Sequence, residues 1–178
     1  MAFVCPSWFS FILYNPIRKA FTDRSKVLDE SCITRDSIVL EIGAGNGFFT
    51  EAIAERAKKV IAVELQQGMV RKLRKRVQRF GDAVEIVLQD IASADMPHDS
   101  ADVCLLYYSF HEIAHQGEAA AIIARTVRQN GVLSIYEPSV EVNRKDMDAT
   151  VSLFQSRGFS LEERHDNLFT RFARLRKQ

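Results

Sequence analysis

The sequence predicts a doubly wound α/β fold, in which helices cover both faces of a mostly parallel sheet. Apolar strand-like runs alternate with helix-like segments along the chain. A turn containing three glycines directly follows one of the apolar runs, at residues 43–47. The length of 178 residues and the hydrophobic content of 47% suit a single domain with a sizeable core.

The first 36 residues precede the alternating pattern. Residues 2–14 are apolar and aromatic, but the run is interrupted by Pro6 and is shorter than the roughly 20 residues that cross a bilayer. No basic side chain precedes the run, so a signal peptide is not expected. Pro16 suits the first position of a helix that we predict to run over residues 15–28. We expect residues 1–36 to be a packing segment, a dimer contact or a weak membrane-surface patch, and residues 37–178 to form the core of one domain.

Two acidic strand ends and the glycine turn form the most informative pattern in the chain. Residues 38–42 form an apolar run that contains Glu41, and glycines at 43, 45 and 47 follow it. Glycine tolerates positive φ and lets a ligand approach the backbone closely. A second apolar run ends in Glu64, 21 residues after Gly43, where a carboxylate is suited to accept hydrogen bonds from a ribose diol. The pattern predicts a site for an adenosine-containing ligand.

The remaining elements follow from apolar periodicity and from glycine punctuation. Gly131 is expected at a helix C-cap, and Gly158 is expected to end the last helix. The predicted helices are 48–58, 66–80, 117–130 and 143–157. The predicted strands are 60–63, 84–90, 101–108, 131–138, 159–164 and 168–175, the last two joined by residues 165–167.

The glycine spacing differs from the dinucleotide fingerprint, because Gly47 comes one residue early. Glu41 would also repel a pyrophosphate but suit an ammonium group. This combination resembles motif I of the class I S-adenosylmethionine-dependent methyltransferases of small-molecule type, and the similarity extends over residues 36–138. The resemblance implies a three-layer Rossmann-like sheet of about seven strands, mostly parallel, with an antiparallel C-terminal pair. Many small members of the family use an N-terminal segment such as residues 1–36 as a lid over cofactor and substrate, so a lid or a packing segment is favoured here.

The resemblance also implies which residues hold S-adenosylmethionine. In that family an acidic residue at the end of the second strand binds the ribose, and that position is Glu64 here. Asp90 matches the acidic residue that bonds the adenine amino group, with Ile91 as the apolar neighbour of the ring. Packing glycines and solvated strand ends remain open as alternatives. The implied cofactor-binding set is Glu41, Gly43, Ala44, Gly45, Gly47, Glu64, Leu65, Asp90, Ile91 and Tyr107.

The segment after the fourth strand carries the catalytic candidates. Methyl transfer in this family is an in-line displacement that depends mainly on alignment, and a base is needed only when the nucleophile arrives protonated. His111 is the candidate base because its unperturbed pKa lies near neutrality, although His111 and Glu112 capping or packing the following helix is an equal alternative. Tyr108 is the second candidate, and strand alternation predicts that only one of Tyr107 and Tyr108 faces the site. Glu137, at the end of the fifth strand, is a further candidate for the edge of the pocket, although a solvated strand end is favoured.

The expected acceptor is a small molecule. The family members that methylate amide-type nitrogen usually carry Asn or Asp, two prolines and an aromatic residue after the fourth strand. Residues 108–111 read Tyr-Ser-Phe-His instead. The cysteines, at 5, 32 and 104, show no C-x-x-C spacing, so we expect no metal site and a reducing, cytoplasmic setting. Cys104 lies within a predicted strand and is expected to be buried.

Two other functions remain open. Residues 71–79 contain six basic residues in nine, and a basic tail follows at Arg171, Arg174, Arg176 and Lys177. If the two met in space they would form a phosphate-binding stripe for RNA, although a solvated helix face is favoured and the net charge is only +1. The chain could also be a non-catalytic S-adenosylmethionine-binding module, with its N-terminal apolar segment serving a partner or a homodimer.

Overall fold

A computed structural model of the protein describes residues 23–178. It confirms the predicted architecture: one seven-stranded sheet has the order β3-β2-β1-β4-β5-β7-β6, and only β7 runs antiparallel to its neighbours. The helices are α1 (Arg24–Glu30), α2 (Phe48–Arg56), α3 (Gln67–Val77), α4 (Gln116–Thr126) and α5 (Arg144–Gln155). The strands are β1 (Ile38–Ile42), β2 (Lys59–Val63), β3 (Val84–Val87), β4 (Ala101–Tyr107), β5 (Val127–Pro138), β6 (Phe159–Asp166) and β7 (Thr170–Lys177).

Helices cover both faces of the sheet and bury a separate apolar layer on each. The first three helices pack on one face, where Leu28 and Ile53 join a cluster that includes Val39. The last two helices pack on the other face, in a cluster that includes Leu40 and Ile123. Val39 and Leu40 are consecutive in β1 and belong to opposite layers, as strand alternation requires. The buried strands are apolar on both sides, which is typical of a sheet covered by helices on both faces.

Two helix ends are set by side-chain capping. The Asp23 side chain accepts a hydrogen bond from the Lys26 amide (3.0 Å), and the backbone of Asp23 is extended, so α1 begins at Arg24. The predicted helix over residues 15–28 is therefore wrong at residue 23, where the chain is extended rather than helical. The part of that helix before residue 23, like the apolar run at 2–14, lies outside the described residues. At α5, Asn143 and Asp146 form a capping box, and Gly158 follows the helix with φ +86°, as predicted.

Other predicted boundaries move because tertiary structure overrides local pattern. α4 ends at Thr126, and the predicted C-cap glycine, Gly131, lies inside β5. The register between β4 and β5 shifts there, and a Cβ on Gly131 would lie 2.6 Å from Cγ1 of Val127. Gly131 therefore serves a bulge rather than a helix end. The helix predicted over residues 66–80 gives way after Val77 to a kinked 3₁₀ segment, and the last hairpin turns at residues 167–169 rather than 165–167.

The basic segments of the sequence lie far apart in the sheet order. α3 connects β2 to β3 at one edge, whereas β1, β4 and β5 separate β2 from β7. The condition for a shared phosphate-binding stripe, that the helix and the tail meet in space, is therefore not met. The tail is also neutralised locally, through the ion pairs Arg171–Asp166, Arg174–Glu163, Arg176–Glu162 and Lys177–Asp99. Over residues 23–178, no helix combines the length and apolar character needed to cross a membrane.

Candidate functional site

The strand order brings the predicted site residues to one edge of the sheet. β1 pairs with β2 on one side and with β4 on the other, so the connections run in opposite directions from β1. Ligands bind in open α/β sheets at this kind of switch point, outside the carboxyl ends of the strands. Ile42 lies opposite Val63 and Leu106, and Leu106 lies opposite Ile135, so these four strands end together.

At two of the three glycines in the turn after β1, neighbouring atoms leave no room for a side chain. Gly43, Gly45 and Gly47 all have positive φ, between +57° and +85°. A Cβ on Gly43 would lie 2.5 Å from Cβ of Ser109, and one on Gly47 would lie 2.7 Å from Cδ1 of Leu73. A Cβ on Gly45 would meet nothing closer than 3.9 Å. Gly45 is therefore the glycine at which a ligand has room to approach the backbone.

Replacing Gly43 with alanine is expected to lower the free energy of unfolding by about 2 to 3 kcal/mol, because the new Cβ adds a clash with Ser109 to the cost of positive φ. Gly158→Ala is the matched control. Gly158 has φ +86°, but a Cβ there would have no neighbour within 4 Å, so only the backbone cost of about 1 kcal/mol remains. Urea denaturation of both variants measures the difference; equal losses would show that the Ser109 contact is unimportant.

Glu64 lies directly after β2 and connects the glycine turn to the start of α3. One carboxylate oxygen accepts a hydrogen bond from the Gly45 amide (2.8 Å), and the other accepts one from the Gln66 amide (2.7 Å). The residue is only 7% exposed. A carboxylate offers about four lone-pair sites, so two remain for hydroxyl donors. This geometry fits the ribose prediction and also shows that Glu64 fixes the turn itself.

Glu41 is buried within the end of β1 and does not behave as an ordinary carboxylate. It is 4% exposed, and the hydroxyl of Thr50 donates to it at 2.6 Å. Burial raises its pKa to about 8, partly opposed by the hydrogen bond from Thr50 and reinforced by the charge of Glu64. The carboxyl group is thus largely protonated at pH 7, which changes the expectation of an anion waiting for an ammonium group.

Glu41→Gln is expected to make the protein more stable at pH 8 than the wild type, by on the order of 3 kcal/mol. The folded pKa of about 8 lies above the ordinary 4.5, so the contribution of this group to stability is fully present below pH 4.5 and is lost as pH rises toward 8. Glutamine is an uncharged isostere that still accepts from Thr50. Unfolding curves at pH 5 and pH 8 test this; a variant that loses stability with pH as steeply as the wild type would contradict it.

The predicted adenine-binding positions lie after β3 and β2. Oδ1 of Asp90 accepts a hydrogen bond from the Ala92 amide (2.9 Å), which fixes the carboxylate at the start of the loop. Ile91 is buried in the core layer, so it supports the loop more than it exposes a surface. Ala44 is a buried residue of the glycine turn itself, and its amide donates to the Val63 carbonyl (3.1 Å). Leu65 is 54% exposed and offers an apolar surface beside Glu64.

Tyr107 and Tyr108 do not alternate across the sheet as predicted. Their rings stack with centroids 4.4 Å apart, and Tyr107 also packs against Phe49 at 4.2 Å. The cause is the backbone of Tyr108, which has φ +55° and so ends the strand geometry. The Tyr108 hydroxyl shares a hydrogen bond with Oγ1 of Thr170 (2.5 Å), at the start of β7. Both rings therefore lie on one side, at the edge of the predicted crevice.

His111 lies in a short 3₁₀ helix, Phe110–Glu112, and bonds to two carboxylates from the end of β5 and the loop that follows it. Nδ1 lies 2.5 Å from Oε2 of Glu137, and Nε2 lies 2.9 Å from Oε2 of Glu141. Capping of the next helix by His111 or Glu112 is wrong, because α4 begins after His115. The prediction that Glu137 is a solvated strand end is also wrong: it is 1% exposed and holds the imidazole.

The carboxylates change the acidity of His111. Burial alone would lower its pKa, but the hydrogen bond with Glu137 and the charges of Glu137, Glu141 and Glu112 outweigh it, so the pKa is raised above the ordinary 6.5. Glu141 is exposed and Glu137 is not, so only Glu137 forms a fixed partner. When His111 is neutral and its one ring proton is on Nδ1, facing Glu137, Nε2 is the nitrogen that can accept a proton.

Sequence comparison identifies relatives for the central part of the chain. A family model described as a methyltransferase domain matches residues 40–135, more than half of the chain. An uncharacterised methyltransferase-like protein of Schizosaccharomyces pombe is 37% identical over 114 residues, which is 61% of this chain and 41% of that protein. A mitochondrial ribosomal RNA small subunit methyltransferase of Arabidopsis thaliana is 35% identical over 113 residues, 60% of this chain and 27% of that protein. The chain therefore spans less than half the length of these curated relatives.

Structural comparison supports the fold over nearly the whole chain. The crystal structure described as a SAM-dependent methyltransferase from Aquifex aeolicus superposes with a TM-score of 0.85 and 18% sequence identity. The match covers 98% of this chain and 100% of that one. At this level of identity the similarity concerns the fold.

Proposed function

The chain belongs to the methyltransferase domain family, and from this premise we propose that it binds S-adenosylmethionine and transfers the methyl group to a small-molecule acceptor. The observation that carries the proposal is the position of Glu64. Its buried carboxylate accepts a hydrogen bond from the amide of Gly45, the glycine at which a ligand has room to approach the backbone. When bound, S-adenosylmethionine supplies a methyl group activated by a sulfonium. The task of the protein is then to bind, to align and to exclude water.

The residues at the strand ends fit the parts of this cofactor. The two lone-pair sites left on Glu64 suit the ribose hydroxyls, and the exposed side chain of Leu65 suits the adenine face. Asp90 is held in place for the adenine amino group by its bond to Ala92. Glu41 lies under the turn, where a neutral carboxyl group avoids an unpaired buried charge. The rings of Tyr107 and Tyr108 supply aromatic surface, which attracts cations.

His111 is the group that we propose to accept a proton from the acceptor, with Glu137 as its positioning residue. Glu137 also accepts from the His111 backbone amide (3.2 Å), so both backbone and ring are fixed to one buried carboxylate. Glu141 lies on the surface, so it is free to leave Nε2 when an acceptor arrives. Tyr108, whose hydroxyl is engaged with Thr170, contributes its ring to the same wall.

An RNA acceptor is the second candidate, favoured by the name of the Arabidopsis relative and by the basic face of α3. The separation of α3 from the basic tail, and the ion pairs of that tail, favour the small molecule.

We also propose that residues 1–36 include a lid. The described part packs firmly: the Tyr136 hydroxyl donates to Glu30 at 2.9 Å, and Val27 and Leu28 are buried.

Calorimetric titration with S-adenosylhomocysteine, and with NAD in a parallel run, tests the cofactor. Micromolar binding of the first and none of the second is expected; the reverse would overturn the proposal. Methyl incorporation from labelled S-adenosylmethionine into a small-molecule library and into total RNA then separates the two acceptors. Incorporation into RNA that falls steeply with salt would select the second candidate. Binding without incorporation into either would favour a non-catalytic module.

A further inference from the structure

A cleft of about 630 Å³ lies at the end of β5, beside the proposed acceptor site. The loop after β5, the β6–β7 turn and the first turn of α5 form its walls. Its volume is in the range of small-molecule sites in proteins. The cleft is lined by Ser139, Val140, Arg144, Asp166, Asn167, Leu168 and Arg171.

Two exposed apolar side chains, Val140 and Leu168, line this cleft, and Phe169 follows Leu168 in the turn. Val140 is 85% exposed, Leu168 80% and Phe169 71%, the three highest values for large apolar residues within 23–178. Two hydrogen bonds hold the loop and the turn together: Oγ of Ser139 donates to the Leu168 carbonyl (2.6 Å), and the Ser139 amide donates to the Phe169 carbonyl (3.0 Å). Clustering of this kind, unlike single exposed apolar residues, marks a binding surface.

The charged groups of the cleft sum to one positive charge. Nε of Arg144 donates to Oδ2 of Asp166 (3.1 Å), and Arg171 pairs with the same oxygen (3.3 Å). Arg171 is mostly buried and also donates to the Val142 carbonyl, whereas the Arg144 side chain is 76% exposed. Arg144 is therefore the cation that an incoming anion meets, since one carboxylate cannot neutralise two guanidinium groups.

The neighbouring acidic side chains have partners other than Arg144. Asp146 takes part in the capping box of α5, and Asp148 pairs with Arg164. Glu141 is directed to His111. Oδ1 of Asn167 accepts from the amides of Phe169 and Thr170, which leaves the side-chain N–H groups of this exposed residue as donors. Arg144 and Asn167 together suit a carboxylate or another singly charged anion.

Two hydrogen bonds link residues next to the cleft lining with the proposed site of methyl transfer. Thr170, which follows the β6–β7 turn, bonds the Tyr108 hydroxyl, and Glu141, which follows Val140, bonds Nε2 of His111. We propose that this cleft binds the methyl acceptor, and that the acceptor is an amphipathic small molecule with one anionic group near Arg144 and an apolar body against Val140 and Leu168. The assignment of the ligand as acceptor rests on the proposed function; the binding itself does not.

Fluorescence titration with 2-naphthoate and its neutral analogue 2-naphthamide tests the cleft. The wild type is expected to bind the anion roughly 3- to 10-fold more tightly than the amide, the range for an exposed charged pair. Arg144→Gln should abolish this preference with little change for the amide. Leu168→Ser should weaken both probes about equally. Arg74→Gln on α3 and Leu161→Ser on β6 are matched controls that should change neither.

A preference for naphthoate that survives in Arg144→Gln, or the absence of saturable binding of either probe, would overturn the inference. All variants lie on the surface, and calorimetry with S-adenosylhomocysteine on the same samples should give the wild-type dissociation constant. Probe binding that follows the prediction in a protein that does not bind S-adenosylhomocysteine would retain the anionic cleft and overturn the proposed function instead. The two failures are thus distinguishable.

Discussion

Glu64→Ala is expected to weaken the binding of S-adenosylhomocysteine by roughly 10²- to 10⁴-fold, which is the value of two charged hydrogen bonds to a ribose diol. The loss has two sources. The ribose loses its acceptor, and the amides of Gly45 and Gln66 lose the carboxylate that fixes the turn. Glu64→Gln should restore little of the lost affinity, because the glutamine side chain cannot accept from both backbone donors at once. Calorimetry gives the dissociation constants directly.

Glu55→Ala is the matched control for this experiment. Glu55 lies on the exposed side of α2, where it pairs with Arg79 and has no contact with the glycine turn. Its removal should leave the dissociation constant unchanged. A folded Glu64→Ala protein that binds as tightly as the wild type would disprove the ribose assignment, and thermal unfolding of the same sample excludes a trivial loss of structure.

His111→Ala is expected to reduce turnover by about 10²- to 10⁴-fold without changing the affinity for S-adenosylhomocysteine, as removal of a general base does. The base must be neutral, and its pKa is raised above 6.5, so the wild-type rate should increase with pH through this raised value. Glu137→Gln should move the increase to lower pH, because it removes the carboxylate that favours the imidazolium form. The pH dependence of kcat/KM provides the measurement.

Two further variants separate a base from a structural histidine. Glu141→Gln should shift the same pH profile less than Glu137→Gln, since Glu141 is 61% exposed and its charge is screened by solvent. His98→Ala removes an exposed histidine outside the site and should leave turnover unchanged. If His111→Ala retains full turnover, or if its only effect is a lower melting temperature, His111 is a packing residue.

The sheet and the ends of the first two strands could be predicted because their determinants are local. Glycine spacing and a carboxylate about 20 residues later are properties of a single βαβ unit, so Glu64 could be located from sequence alone. Gly131 could not be interpreted in this way. Its requirement comes from contacts with Val127 and Arg128 at a shift in pairing with β4, and a glycine after a helical pattern looks the same as a C-cap.

The catalytic edge was less predictable because its geometry depends on residues distant in sequence. Glu137 is buried at the end of β5 and bonds His111, 26 positions earlier. The stacking of Tyr107 and Tyr108 depends on one left-handed backbone conformation, which tyrosine rarely adopts and no pattern signals. The elevated pKa of Glu41 likewise depends on its burial, which outweighs the opposing hydrogen bond from Thr50. A sequence identifies such residues as candidates without giving their protonation state.

The link between Ser109 and the end of β1 has a consequence for altering this protein. Oγ of Ser109 donates to the Ile42 carbonyl (2.8 Å) while its Cβ occupies the space that a side chain on Gly43 would need. The floor of the crevice is thereby locked, and libraries that randomise residues 43 and 109 should yield mostly misfolded proteins. The side chains of Val140, Leu168 and Phe169 are exposed and carry no such constraint. Directed evolution toward a new acceptor should therefore begin at that rim.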